Sequence, residues 1–139
     1  MTHTARVVVL DIEGTTSAAG FVQGDLYDYA RPRLRSWISD HADDPAISSA
    51  VAETRAEGGL ADDADLDAVV AVLHGWMDSD VKATPLKTIQ GQLWAAGFAA
   101  GELRSHFFAD VVPRLQAWHD RGVRLAVFSS GSVAGQVPW

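Results

Sequence analysis

The sequence contains no cysteine. A disulfide framework and thiol chemistry are therefore excluded. Basic residues are few: 11 Lys plus Arg stand against 18 Asp plus Glu, a net charge of −7. No Lys/Arg cluster offers a footprint for nucleic acid or anionic lipid. Long hydrophobic runs are also missing. The run nearest the N-terminus, Val7-Val8-Val9-Leu10, is far too short for a signal-peptide core or a membrane span. The expectation is a cytoplasmic monomer that binds neither nucleic acid nor membrane. An acidic chain still accepts a small phosphate where a metal ion and local dipoles oppose the charge.

What is present is an ordinary globular composition. The chain has 139 residues, 47% hydrophobic and 21% charged, enough for one domain with a core. Val7 to Leu10 is continuous, apolar and mostly β-branched. It reads as a strand buried on both faces, as in a parallel sheet.

The middle of the chain reads as helix. Ala18 to Ala42 carries Phe21, Leu26, Tyr29, Leu34, Trp37 and Ile38 at roughly helical spacing, with Pro32 as a break. Asp44-Pro45 is a cap followed by a first turn, and Gly58-Gly59 ends that helix. The acids Asp62, Asp63, Asp65 and Asp67 sit at the next helix start, where the dipole favours them. Leu66, Val69, Val70, Leu73, Trp76 and Met77 then form an i, i+3, i+4 stripe. Thr84-Pro85 starts a further helix, with Gly97 as its expected stop.

The end returns to the opening pattern. A helix is expected from about Asp110 to Asp120, closed by Gly122. Val123 to Phe128 reads as a second strand, and Ser129-Ser130-Gly131-Ser132 follows. Two buried strands joined through helix point to a parallel α/β sheet. The helical insertion follows the first strand, at the end of the sheet where such folds bind ligands.

Asp11 and Glu13 leave the first strand two residues apart, so both carboxylates start on one side. Two neighbouring carboxylates repel unless a cation joins them. Mg²⁺ suits them, because it takes oxygen ligands and keeps waters for a phosphate. A carboxylate so held attacks phosphorus and forms an aspartyl-phosphate. The second acid protonates the leaving oxygen and then activates water. Gly14 permits a sharp turn. Thr15 and Thr16 supply hydroxyls, and their N–H groups are expected to face a phosphate. On its own, Asp-Ile-Glu-Gly reads equally well as a plain turn.

The second loop shifts that balance. Ser129, Ser130 and Gly131 offer hydroxyls and N–H donors to a phosphate oxygen. A serine nucleophile is the rival reading, but no G-x-S-x-G elbow surrounds Ser129. The histidines His3, His41, His74, His106 and His119 read as surface or packing residues.

Asp11-Ile-Glu-Gly-Thr-Thr16 after a hydrophobic strand, a helical cap and Ser129-Ser-Gly-Ser132 together resemble the haloacid dehalogenase superfamily. Glu13 stands where most of that superfamily has Asp. This departure resembles one branch, the enolase-phosphatases (acireductone synthases) of methionine salvage. Gly75-Trp-Met-Asp78, Lys82-Ala-Thr-Pro-Leu-Lys87, Gln90-Gly91 and Phe108-Ala-Asp-Val-Val-Pro113 agree with that branch.

The resemblance implies an incomplete haloacid-dehalogenase-like core, Rossmann-type and parallel, from residues 1–16 and 109–139. Residues 17–108 would form the inserted α-helical cap. It implies a Mg²⁺-dependent enzyme that enolises 2,3-diketo-5-methylthiopentyl 1-phosphate and then removes its phosphate, leaving an acireductone. Asp11 would be nucleophile and metal ligand. Glu13 would serve the metal site and act as acid and base. Ser129, Ser130 and Gly131 would bind the substrate phosphate. Lys87 would approach the substrate from the cap, although a solvated helix lysine is the simpler reading.

Members of that family also carry a later lysine loop and a late acidic residue. Lys82 and Lys87 are the only lysines here, and both fall in the cap. Little or no turnover is therefore expected of this chain alone. A non-catalytic remnant or interaction fragment, and a phosphatase for another small phosphomonoester, are the alternatives.

Overall fold

The computed structural model describes residues 5–130 and 133–139. It contains two strands and eight α-helical segments among them: β1 (Val7–Leu10), α1 (Ala19–Phe21), α2 (Tyr27–Ala30), α3 (Leu34–Asp40), α4 (Pro45–Glu57), α5 (Leu66–Asp78), α6 (Thr84–Ala99), α7 (Val111–Asp120), β2 (Arg124–Val127) and α8 (Val133–Gln136). Two compact units result. One holds residues 5–25 and 105–130, the other residues 26–104 and 133–139.

In the first unit, β1 and β2 pair in parallel, with Val7 opposite Arg124 and Leu10 opposite Val127. The parallel pairing expected from two apolar runs joined through helix is therefore present. The expected burial on both faces is not. Val7 is 44% exposed and Val9 61%. The sheet has two strands among the described residues, so a single layer of helix can cover only one face. Trp118 of α7 and Val8 of β1 line one small apolar cavity with Ala5, Arg121 and Val123. The Val7 and Val9 side chains point the other way. Residues 17–25 and 105–108 group with this unit by their contacts. The cause is local: the amide of Phe108 donates to the carbonyl of Thr16 at 3.0 Å, and the Phe21 and His106 rings lie 5.1 Å apart.

The second unit is a helical bundle. Leu34 and Ile38 of α3, Ile47 and Ala50 of α4, Val69, Leu73 and Met77 of α5, and Leu86, Ile89 and Leu93 of α6 share one core. Burying each of these larger aliphatic side chains contributes roughly 1.5–3 kcal/mol before chain entropy is charged against it. The capping signals act where the sequence places them. Asp44 accepts from the amide of Ala46, and Asp65 from that of Ala68, both at 2.8 Å. Asp65 is thus an N-cap, and Asp62 and Asp63 are exposed around it.

Two expectations for this region change. The segment around Pro32 is a chain of short turns: a π-helical turn at Val22–Leu26, α2, a 3₁₀ turn at Arg31–Arg33, and α3. Gly97 does not stop α6, which runs on to Ala99. A Cβ at Gly97 would stand 2.8 Å from the Tyr29 ring and 2.9 Å from Leu103. The glycine is there to let those side chains approach. No helix among the described residues is long and apolar enough to cross a membrane.

Candidate active site

Parallel pairing sends the ends of β1 and β2 out of the same edge of the sheet. The amide of Phe128 donates to the carbonyl of Leu10 at 2.8 Å, so the ladder runs one residue past β2. Asp11 and Ser129 are the next residues on the two chains. The structure therefore brings the Asp11–Ser17 loop and the Ser129-Ser130 segment to one end of the sheet. Ser129 is half-buried and Ser130 exposed. Gly131 lies outside the described residues.

The first loop is wound around one carbonyl. The amides of Thr15, Thr16 and Ser17 all donate to Ile12, at 3.2, 3.1 and 3.0 Å, and that of Gly14 donates to Ser17 at 2.8 Å. This tight winding needs a left-handed residue, and Gly14 supplies it with φ +71°. It corrects one expectation. The amides of Thr15 and Thr16 are committed to Ile12 and are not presented to a phosphate. The Thr16 hydroxyl is turned inward as well, 3.3 Å from the Asp11 carbonyl and 3.4 Å from that of Ile12.

The winding leaves the acids outside. Asp11 is exposed and Glu13 half-buried. The Ile12 amide donates to Asp11 Oδ1 at 2.7 Å, a short bond to a charged acceptor that orients the carboxylate. Gln23 Nε2 donates to Glu13 Oε1 at 3.0 Å. Gln23 was not singled out in the sequence; ten positions separate it from Glu13, and no motif links them.

The loop is also tied to a distant segment. The Ser17 hydroxyl donates to the carbonyl of His106, 89 residues on. The His106 ring lies between Phe21 and Phe108, at 5.1 and 6.0 Å, and its Nδ1 is buried without a hydrogen-bond partner. The expectation of packing roles fits the other described histidines. His41 stacks on Trp37 at 3.9 Å, His74 Nε2 meets the carbonyl of Arg31 at 3.1 Å, and His119 is exposed. Lys87 is half-buried on α6 in the helical unit.

No group of three or more His, Cys, Asp or Glu side chains that could hold a metal is present among the described residues. Asp11 and Glu13 are two, both offering carboxylate oxygen. Carboxylate oxygen is the donor type that a hard cation takes.

No family model matches the chain. Curated proteins do. The chain is 61% identical over 133 residues to a protein named enolase-phosphatase E1 from Saccharopolyspora erythraea, covering 96% of the chain and 55% of that protein. It is 55% identical over 135 residues to the protein of the same name from Frankia alni, covering 97% and 57%.

Over nearly its whole length the chain resembles the enolase-phosphatases.

It spans about 55% of the length of the enolase-phosphatases it matches. A solved structure, the UTR4 protein (Unknown transcript 4 protein) of Saccharomyces cerevisiae, superposes with a TM-score of 0.73 at 25% identity. That match covers 97% of this chain and 55% of the yeast one. The α/β class expected from the sequence, an incomplete haloacid-dehalogenase-like core with a helical insertion, is the class observed.

Proposed function

We propose that this chain carries the nucleophile and phosphate loops of a Mg²⁺-dependent enolase-phosphatase. Its substrate would be 2,3-diketo-5-methylthiopentyl 1-phosphate and its products an acireductone and phosphate. The observation that carries the reading is the parallel pairing of β1 with β2, which delivers Asp11, Glu13 and Ser129 to one edge of the sheet.

The chemistry follows from the loop. Ile12 holds Oδ1 of Asp11, leaving Oδ2 to attack phosphorus. The phosphorus–oxygen bond to the substrate breaks as the aspartyl-phosphate forms. Glu13, held by Gln23, gives its proton to the leaving oxygen. It then takes a proton from the water that hydrolyses the aspartyl-phosphate. Asp11 and Glu13 would hold Mg²⁺, which supplies positive charge against the phosphate. Ser129, Ser130 and Gly131 would bind the phosphate oxygens. The amides of Thr15 and Thr16 have no part in this, because they serve the loop itself.

The 139-residue chain alone is proposed to turn over little. Charge developing on a phosphoryl group needs a fixed cation, and neither of the two lysines, Lys82 and Lys87, belongs to the Asp11 or Ser129 loop. A covalent chimera tests the reading. The chain is joined in frame to the part of the Saccharopolyspora erythraea protein outside the match. Mg²⁺-dependent phosphate release by the chimera, lost in Asp11→Asn, supports it. A folded chimera that hydrolyses no phosphorylated diketone refutes it. A non-catalytic interaction role is the second reading, and the exposed Val9 and Phe128 favour it.

A further inference from the structure

We propose that Ser17 is a positioning residue for Glu13. Its buried hydroxyl fastens the far end of the acidic loop to the His106–Phe108 segment, and so fixes where the Glu13 carboxylate stands beside Asp11. The inference rests on the acid-and-base role proposed for Glu13.

Ser17 is buried, with 0% exposure, and its backbone is committed to the loop. Its amide donates to the carbonyl of Ile12 at 3.0 Å, and its carbonyl accepts from Gly14 at 2.8 Å. Glu13 and Ser17 also pair as an isolated parallel bridge. These bonds set the shape of the loop. They do not fasten it to the rest of the unit, because both ends of each lie within it. The hydroxyl does: it donates to the carbonyl of His106. Beside it, the amide of Phe108 donates to the carbonyl of Thr16 at 3.0 Å.

Glu13 therefore sits between two anchors. The bond from Phe128 to Leu10 holds the Asp11 end, and the bonds of Thr16 and Ser17 hold the other. Both anchors lie in one unit, and one frame joins them. The carbonyl of Phe108 accepts from Val111 at 3.0 Å where α7 begins, and α7 leads into β2. The Thr16 bond is made by backbone groups alone, so Ser17 supplies the side chain of its anchor. Without that hydroxyl the part-buried His106 carbonyl loses this donor, and the segment must shift to satisfy it. A misplacement of about 1 Å at a reacting group costs on the order of 100-fold in rate.

The chimera with the Saccharopolyspora erythraea part is the test system. Ser17→Ala should lower kcat for the phosphorylated diketone about 100-fold. KM should stay within about 3-fold, because the phosphate contacts are made elsewhere. Ser17→Thr keeps the hydroxyl and should recover most of the rate. Hydrogen exchange supplies a readout that needs no turnover. In Ser17→Ala the amides of Gly14 and Phe108 should exchange about 10-fold faster, while that of Phe128, at the other anchor, should not change. A wild-type chimera that releases no phosphate refutes the catalytic reading and this inference together. An active wild type refutes the inference alone in any of four cases: Ser17→Ala keeps its kcat, KM rises in step with the loss, Ser17→Thr loses as much as Ser17→Ala, or exchange rises at Phe128 as well.

Discussion

The amide of Phe128 and the carbonyl of Leu10 meet at 2.8 Å, and this bond sets the level at which Asp11 and Ser129 leave the sheet. Every functional statement about this chain depends on it. Carboxylate and hydroxyl lie 118 positions apart in sequence, and the parallel ladder puts them after the same rung.

Asp11 is exposed, and among the described residues its side chain bonds its own neighbour, Ile12. Asp11→Asn should therefore leave the fold intact, within about 0.5 kcal/mol by urea unfolding. In the chimera with the Saccharopolyspora erythraea part it should lower phosphate release by about 1,000-fold or more, because the amide does not attack phosphorus. Gln23→Ala should cost less, since it removes only the bond that orients Glu13.

Gly14 tests the winding of the loop. Nothing lies within 4 Å of a Cβ built there, but its φ is +71°. Gly14→Ala should thus be destabilising by about 1–2 kcal/mol through backbone strain alone. Gly20→Ala, with equal space and no positive φ, should be neutral or slightly stabilising. Equal effects at the two positions in chemical denaturation would remove the strain account.

Gly97 tests a conflict of signs. Inside an exposed helix, Gly→Ala should stabilise by roughly 0.5–1 kcal/mol. At Gly97 the new methyl would meet the Tyr29 ring at 2.8 Å. Gly97→Ala is expected to destabilise by about 1–3 kcal/mol, as overpacking does. A rise in melting temperature would show that the ring yields freely.

Tyr29 predicts an alkaline effect. Burial is the largest cause that raises its pKa above the ordinary tyrosine value, followed by the hydrogen bond to Glu102 and that carboxylate's charge; Arg33 opposes them. The neutral phenol is favoured in the folded state. Its contribution to stability is complete below about pH 10, the unfolded value, and is lost as pH rises through the higher folded value. Glu102→Gln should move the Tyr29 titration down toward the ordinary value. Tyrosinate absorbance, assigned with Tyr29→Phe, reports it.

Helix limits were the most legible part of the sequence. Asp44 and Asp65 mark helix starts because a cap acts within three residues of itself, and Pro85 marks another because proline is accepted in a helix's first turn. The acids at Asp11 and Glu13 were legible because a polar pair follows an apolar run. Gly97 misled for the opposite reason: its cause is Tyr29, far away in sequence. The role expected of the Thr15 and Thr16 amides failed for a related one. A sequence shows which donors a loop owns, and only its closed hydrogen bonds show where they go.

The sequence by itself determined the candidate residues, the helix caps and the parallel α/β class, all of which follow from patterns a few residues long. The tertiary structure decided which groups remain for chemistry. Ile12 takes the amides of Thr15, Thr16 and Ser17, and the carbonyl of His106 takes the Ser17 hydroxyl. It also decided that Val7 and Val9 stay open to solvent. An apolar run announces that a strand seeks burial, but burial is a property of the layers around it, and a sheet of two strands with helix on one side leaves a face uncovered.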